Sequence, residues 1–466
     1  MKVAASEHQV CARTASEHAG SEALPSPTTY AWIVLLLLTL TNLLSFMDRY
    51  LVNILAQPIK EDMAITDAQV GLLTGFALSI SYSVFGLPLA WLSERRNRVA
   101  IIAGSVLVWS AMTALCGRAA TFGQLVLFRV GVGVGEAGAV PASHSLITDY
   151  FPPHRRGTAL AIFTAAIPLG ALAGSITGGW IVDHWSWREA FIYLGLPGVL
   201  VAAIFSLIVR EVPRGRHDTG FENTVQARMI DVAANLWKDR VTRQAILALT
   251  STMLVTTAAS TFFAPFLARK FAISYTMIGL VLSATFLGGG IIGNLLGGVL
   301  ADRLGRRDPR WVMWVPAIGI TISIPFYFAT YLQPTVFLTA AVLMFPSIIA
   351  MVFTPPTFAT LHARTDPRSR PTMVAIVQLI SSLLGGGFGP FLGGLTIDLL
   401  SESYYSGNFA TSCVGTTAGD AASAAARACS DALLSGTTTM LLITAPLLLW
   451  PVTHYWLAAR AIGTSR

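Results

Sequence analysis

Apolar runs of about twenty residues recur along this chain from position 30 onward, separated by short polar or arginine-bearing segments. Each is long enough to carry a helix across a ~30 Å hydrocarbon layer. The pattern predicts twelve spans, at about 30–57, 68–92, 99–117, 121–149, 157–183, 189–210, 244–268, 275–301, 311–331, 335–361, 371–400 and 432–459. The fold expected is an all-α polytopic membrane protein whose spans form two six-helix bundles, 30–210 and 243–460. Residues 1–29 read as a disordered polar tail without a cleavable signal peptide. The stretch 211–242 reads as a linker. Within it, Val225, Met229, Val232 and Leu236 predict an amphipathic helix over Thr224–Trp237, lying on a membrane face. A long loop is expected over 401–431, before the last span.

An internal repeat supports the two bundles. Gly170, Gly174, Gly178, Gly179 and Asp183 recur 215 positions later as Gly385, Gly389, Gly393, Gly394 and Asp398. At an offset of 208, Gly71 and Glu94 match Gly279 and Asp302. Small residues four apart let membrane helices approach closely. The ladders Gly170–Gly174–Gly178 and Gly385–Gly389–Gly393 are therefore expected to let the fifth and eleventh spans slide against the opposite half. Ordinary tight packing is the alternative.

Composition agrees with a membrane protein: 54% of residues are hydrophobic and 12% charged, with mean hydropathy +0.63. In a soluble protein the net charge of +7 would suggest a nucleic-acid partner. Here twenty-three of the 31 Lys and Arg fall on one side of the predicted topology, so no nucleic acid is expected. The positive-inside rule makes that side cytoplasmic and places both termini there, as in a multi-pass protein of a bacterial inner membrane. Cys413 and Cys429 then face an oxidising compartment, where a disulfide is expected.

Ionisable residues within spans are costly and usually functional. Asp48 and Arg49 lie in the first span; Arg129 and Glu136 lie in the fourth, with His144 further along it. Arg129 and Glu136 are two turns apart, about 10 Å, too far for direct contact between neighbouring groups. Glu136 is the leading proton carrier, with Asp48 and Arg129 as its switching partners. A static ion pair joining the first and fourth spans is the competing reading. Arg49 points about 100° away from Asp48, so the two are not expected to face one cavity squarely, and one of them is expected to brace the helix instead. His144 is expected to pack. The second half offers only mild polarity and aromatic surface, so Thr257, Thr261, Phe262, Phe353 and Gln378 are candidate substrate contacts beside Asp48, Arg49, Arg129 and Glu136. A cavity charged on one wall and apolar on the other suits an amphiphile.

Two cytoplasmic segments carry the family signal. Gly298-Val-Leu-Ala-Asp302-Arg303-Leu-Gly305-Arg306-Arg307 resembles the loop signature of the major facilitator transporters, and Ala90-Trp-Leu-Ser-Glu94-Arg95-Arg-Asn97-Arg98 is a degraded copy. Phe46-Met-Asp48-Arg49-Tyr50, Phe128-Arg129 through Glu136, and Ile167-Pro168-Leu-Gly170 resemble the spinster family. That resemblance implies a proton-linked transporter of sphingolipids, sphingoid phosphates or lysophospholipids. It assigns coupling and headgroup roles to Asp48, Arg129 and Glu136. In the outward-facing state, Asp302, Arg303, Arg306 and Arg307, with Glu94, Arg95 and Arg98, are expected to act as latches that hold the cytoplasmic side shut; ordering of their own loops is the alternative. Protons as coupling ion, no bound cofactor or metal, surrounding lipids and a monomeric state complete the expectation. A multidrug antiporter, an organic-anion symporter and a non-transporting receptor remain open. Enzymatic activity is not expected, because no metal-ligand cluster, nucleophile elbow or phosphate loop appears in a fitting context.

Overall fold

The computed structural model describes residues 28–214, 216, 228–366, 369–413 and 424–464, so the expected N-terminal tail lies almost wholly outside it. Among the described residues, twelve helices are long and apolar enough to cross a membrane, and every predicted span falls on one of them. The ends follow local chemistry. Thr28 caps the first span, Thr29–Met63, through its side chain, and Asn97, Thr121, Ser186, Asp239, Ser274 and Thr335 cap others in the same way. Each supplies an acceptor to an otherwise unpaired N–H of the first turn. Thr66 and Gln69 form a full capping box at the start of the second span.

The repeat extends to backbone detail. Ala64, after the first span, and Ala272, after the seventh, both take the left-handed conformation at φ 49°. Both precede a short connection to the next span.

Three departures from expectation have local causes. The last span begins at Ala424, so Cys429 lies on a helix and not in a loop. Cys413 and Cys429 are joined as a disulfide that closes a 16-residue separation. The described part of the linker helix is Met229–Lys238, with Arg228 in extended backbone before it; residues 224–227 lie outside the described residues. Its Val232 and Leu236 are buried against the second half, beside Ala245 and Leu249, so this helix docks on a bundle. Wide π-type turns interrupt the second, eighth and eleventh spans at Leu72–Phe76, Gly288–Gly293 and Ser381–Gly387, which hydropathy could not indicate.

The two halves meet through a near-symmetric pair of contacts. A Cβ at Gly71 or Gly394 would approach closer than 3.0 Å to backbone of the eleventh or second span. Gly279 and Gly179 do the same between the eighth and fifth spans. The predicted ladders behave differently. Gly170, Gly174 and Gly178 pack against Leu43, Met47 and Leu51 of the first span, and Gly385, Gly389 and Gly393 against Met253, Leu254 and Ala258 of the seventh. They tighten each half internally. Gly179 and Gly394 sit one residue, hence about 100°, around the same helices, and those are the glycines that face the opposite half.

Candidate functional site: an intramembrane charge quartet

Asp48 and Arg49 are adjacent on the first span, so they point to different sides of it. The structure gives each its own partner on the fourth span. Arg129 Nη1 donates to Asp48 Oδ2 at 2.6 Å, and Thr113 of the third span donates to Asp48 Oδ1 at 2.9 Å. Arg49 Nε donates to Glu136 Oε2 at 2.7 Å, and Ser45 Oγ donates to Glu136 Oε1 at 2.9 Å. Arg129 and Glu136 occupy separate pairs, as their two-turn spacing requires. Glycines seat the fourth span closely on its other neighbours: a Cβ at Gly135 would strike Trp109 on the third span, and one at Gly133 would strike Ser81 on the second.

The pairs differ in exposure. The Asp48 and Arg129 side chains are 5% and 1% exposed, and Glu136 1%, whereas Arg49 is 28% exposed. Arg49 also lies over the rings of Phe46 and Tyr82, each centroid 5.2 Å from its guanidinium carbon. Asp48–Arg129 is thus a fully enclosed pair, while Arg49–Glu136 has one partly exposed member. Neither residue is left to brace the helix alone: the reach of Arg49 lets it turn back to Glu136.

The other candidates are distributed unevenly. Phe262 and Phe353 are fully buried in apolar packing. Thr261 is buried as well, and Thr257 is held by hydrogen bonds to Met253 and Gly385 carbonyls. Gln378 is exposed and donates to Ser382. His144 is exposed, with its ring edge-on to Phe163 at 5.3 Å, so it is not packed away as expected.

The expected latches are not assembled. Among the described residues, Asp302, Arg303, Arg306 and Arg307 make no ion pair, and Glu94 pairs with neither Arg95 nor Arg98. Arg95 lies over Trp91, and Arg98 is buried against Asp149 and Glu211. Asn97 caps the third span and so turns Arg98 inward on its first turn. Latches form at the opposite face instead. Asp183 accepts from Tyr275 N and Thr276 N at 2.8 Å each, and Asp398 accepts from Asp67 N at 3.0 Å and Ala68 N at 2.8 Å. Each carboxylate seats on the positive N-terminus of a helix from the other half. Arg269 adds a 2.6 Å bond to Asp67 and bonds to Gln57 and Thr437; Lys60 pairs with Asp67 too. The sequence had displayed Asp183 and Asp398 within the repeat, but not their partners.

Two pseudo-equivalent bundles of six spans, latched across one face and holding buried charge, define a multi-pass membrane protein of the two-bundle class built by membrane transporters. The family model of the Major Facilitator Superfamily matches residues 38–266 and 245–419, and the chain belongs to that superfamily. An MFS-type efflux pump of Mycolicibacterium smegmatis is 31% identical over 80% of this chain and 86% of its own length. The sphingosine-1-phosphate transporter SPNS2 of Danio rerio is 29% identical over 79% of this chain and 76% of its length. The crystal structure of a bacterial homolog of the human lysosomal transporter Spinster, inward-facing and unoccupied, superposes with a TM-score of 0.84 at 30% identity. That superposition covers 95% of this chain and 99% of the homolog.

Proposed function

We propose that this protein is a proton-coupled secondary transporter that moves an amphiphilic, lipid-like anion by alternating access. The arginine-rich face is cytoplasmic in this reading, and the conformation is inward-open. The carrying observation is the Arg49–Glu136 pair, one member buried and the other partly exposed. A phosphate or carboxylate headgroup that engages Arg49 competes with Glu136 for the guanidinium. Glu136, left in a low-dielectric setting without its counter-charge, then takes up a proton. Binding and protonation are linked through one side chain. The sphingosine-1-phosphate transporter among the relatives favours a sphingoid phosphate as the anion, and a lysophospholipid shares its chemistry of one charged headgroup on an apolar chain.

The test is flux of a lysophospholipid and a sphingoid phosphate into proteoliposomes under imposed pH gradients, with Glu136→Gln alongside. Gradient-dependent flux in the wild type and gradient-independent flux in the variant are expected. Binding without pH-dependent flux in the wild type overturns the reading. The efflux-pump relative supports a second reading, a multidrug antiporter, in which a lipophilic cation replaces Arg49 at Glu136. Gradient-driven flux of ethidium, with none of either lipid, selects it.

A further inference from the structure

Glu136 presents its two oxygens to different surroundings. Oε2 faces Arg49, whereas Oε1 accepts from Ser45. Beyond Oε1 lies a small pocket lined by Thr41, Asn42 and Ser45 of the first span and Ser143 of the fourth, with Trp109 and Phe163 as walls. It has room for about one water molecule. Most donors of its polar groups are already engaged: Thr41 with the Leu38 carbonyl, Ser143 with the Ala139 carbonyl, and one of the two Asn42 amide N–H bonds with the Phe163 carbonyl. Their oxygens are left to accept, which is what a water placed between them requires.

The pocket also has a direction. Thr41 and Asn42 precede Ser45 on the first span, and Ser143 follows Glu136 on the fourth. The corresponding helix ends sit together at the arginine-rich face, where the Tyr30 and Tyr150 rings are 5.9 Å apart. The pocket therefore lies between Glu136 and that face, on the side of the carboxylate away from Arg49. A proton approaching past Arg49 would meet a guanidinium; one approaching through the pocket meets only hydroxyl and amide groups. The charged groups around Glu136 are Arg49, Arg129 and Asp48, and none of them lines the pocket.

We infer that this pocket is a water site through which Glu136 exchanges its proton with the arginine-rich face, by way of Oε1. The inference rests on Glu136 being the proton carrier. In the loading step, an O–H bond of the protonated water breaks, its electron pair stays on that oxygen, and a new O–H bond forms on Oε1. Ser45 then turns from donor to acceptor. Anion recognition at Arg49 and proton exchange at Oε1 thus use opposite sides of one carboxylate and do not obstruct each other.

Infrared difference spectroscopy after a pH jump, on the full chain in proteoliposomes, tests this through the carboxylic-acid carbonyl band. Ser143→Val fills the pocket, and Thr41→Val removes an acceptor at constant volume. Both are expected to slow the band's appearance about tenfold or more, with its final amplitude kept. Ser206→Val, on the sixth span, controls for the substitution itself. Wild-type rates in both pocket variants, with the thermal midpoint unchanged, overturn the water route and return the proton to the Arg49 side. Persistence of the band in Glu136→Gln instead overturns the assignment of Glu136 as carrier, a separate failure.

Discussion

Asp183 and Asp398 lie at equivalent positions of the two halves, and each carboxylate accepts two backbone N–H bonds from the first turn of a helix in the other half. The receiving residues, Tyr275–Thr276 and Asp67–Ala68, are themselves repeat-equivalent. The closed face is thus held by one device used twice. The two copies differ in detail: Asp183 also accepts from the Thr276 hydroxyl, and Lys60 and Arg269 reinforce the Asp67 side.

Removing either charge should favour opening of that face. Asp183→Asn and Asp398→Asn are each expected to weaken the closed state by about 1 kcal/mol, a roughly fivefold population shift. The two carboxylates share no hydrogen-bond partner, so the double variant should show both effects. Spin labels across the Asp183-bearing face measure the distance distribution, and an unchanged distribution in the double variant contradicts the latch.

Closure of the same face also depends on backbone proximity at glycine. Gly71→Ala places a methyl group against the Pro390 carbonyl, and overpacking of this kind costs about 1–3 kcal/mol. Flux should drop about tenfold, with the protein biased towards opening at that face. Gly86→Ala, where a Cβ meets nothing within 4 Å, should transport normally.

The two ion pairs of the quartet should respond differently to truncation. Arg129→Met leaves Asp48 buried without its counter-charge and is expected to cost about 3–5 kcal/mol, visible as a lowered thermal midpoint in detergent. Arg49→Gln, at a partly exposed site, should melt nearer the wild type yet lose gradient-dependent flux. Equal destabilisation by both would mean that Arg49 is structural.

The disulfide gives a chemical check of sidedness. Alkylation of intact protein should add no mass at Cys413 or Cys429 until a reductant is present. Cys116 is fully buried and should stay unmodified until the protein unfolds. Replacing both bridge cysteines with serine should cost about 3 kcal/mol, by the loop-closure relation for a loop of this length. Immediate alkylation without reductant would place this segment in a reducing compartment.

The legible and illegible parts of this protein divide by the range of the interactions that set them. Hydropathy marked twelve spans because crossing a hydrocarbon layer demands a minimum apolar length from each segment separately. Asp48, Arg49, Arg129 and Glu136 stood out for the same reason, being costly wherever they lie within a span. Their pairing did not stand out. It depends on which helix faces are opposed, and a step of one residue turns a side chain by about 100°, which sends Asp48 to Arg129 and Arg49 to Glu136. The glycine ladders were misdirected by the same geometry, since Gly178 faces its own half and Gly179 the other.

The sequence by itself determined the number of spans, the repeat and the identity of the buried charges, because membrane burial acts on each segment locally. Only the tertiary structure decided that Asp183 and Asp398 close one face, that Asp302 and Glu94 stand unlatched on the other, and that Glu136 turns one oxygen to Arg49 and the other to a polar pocket. Those relationships join residues from 87 to 331 positions apart. Their energies depend on distance and direction between helices, which the order of residues along a chain does not contain.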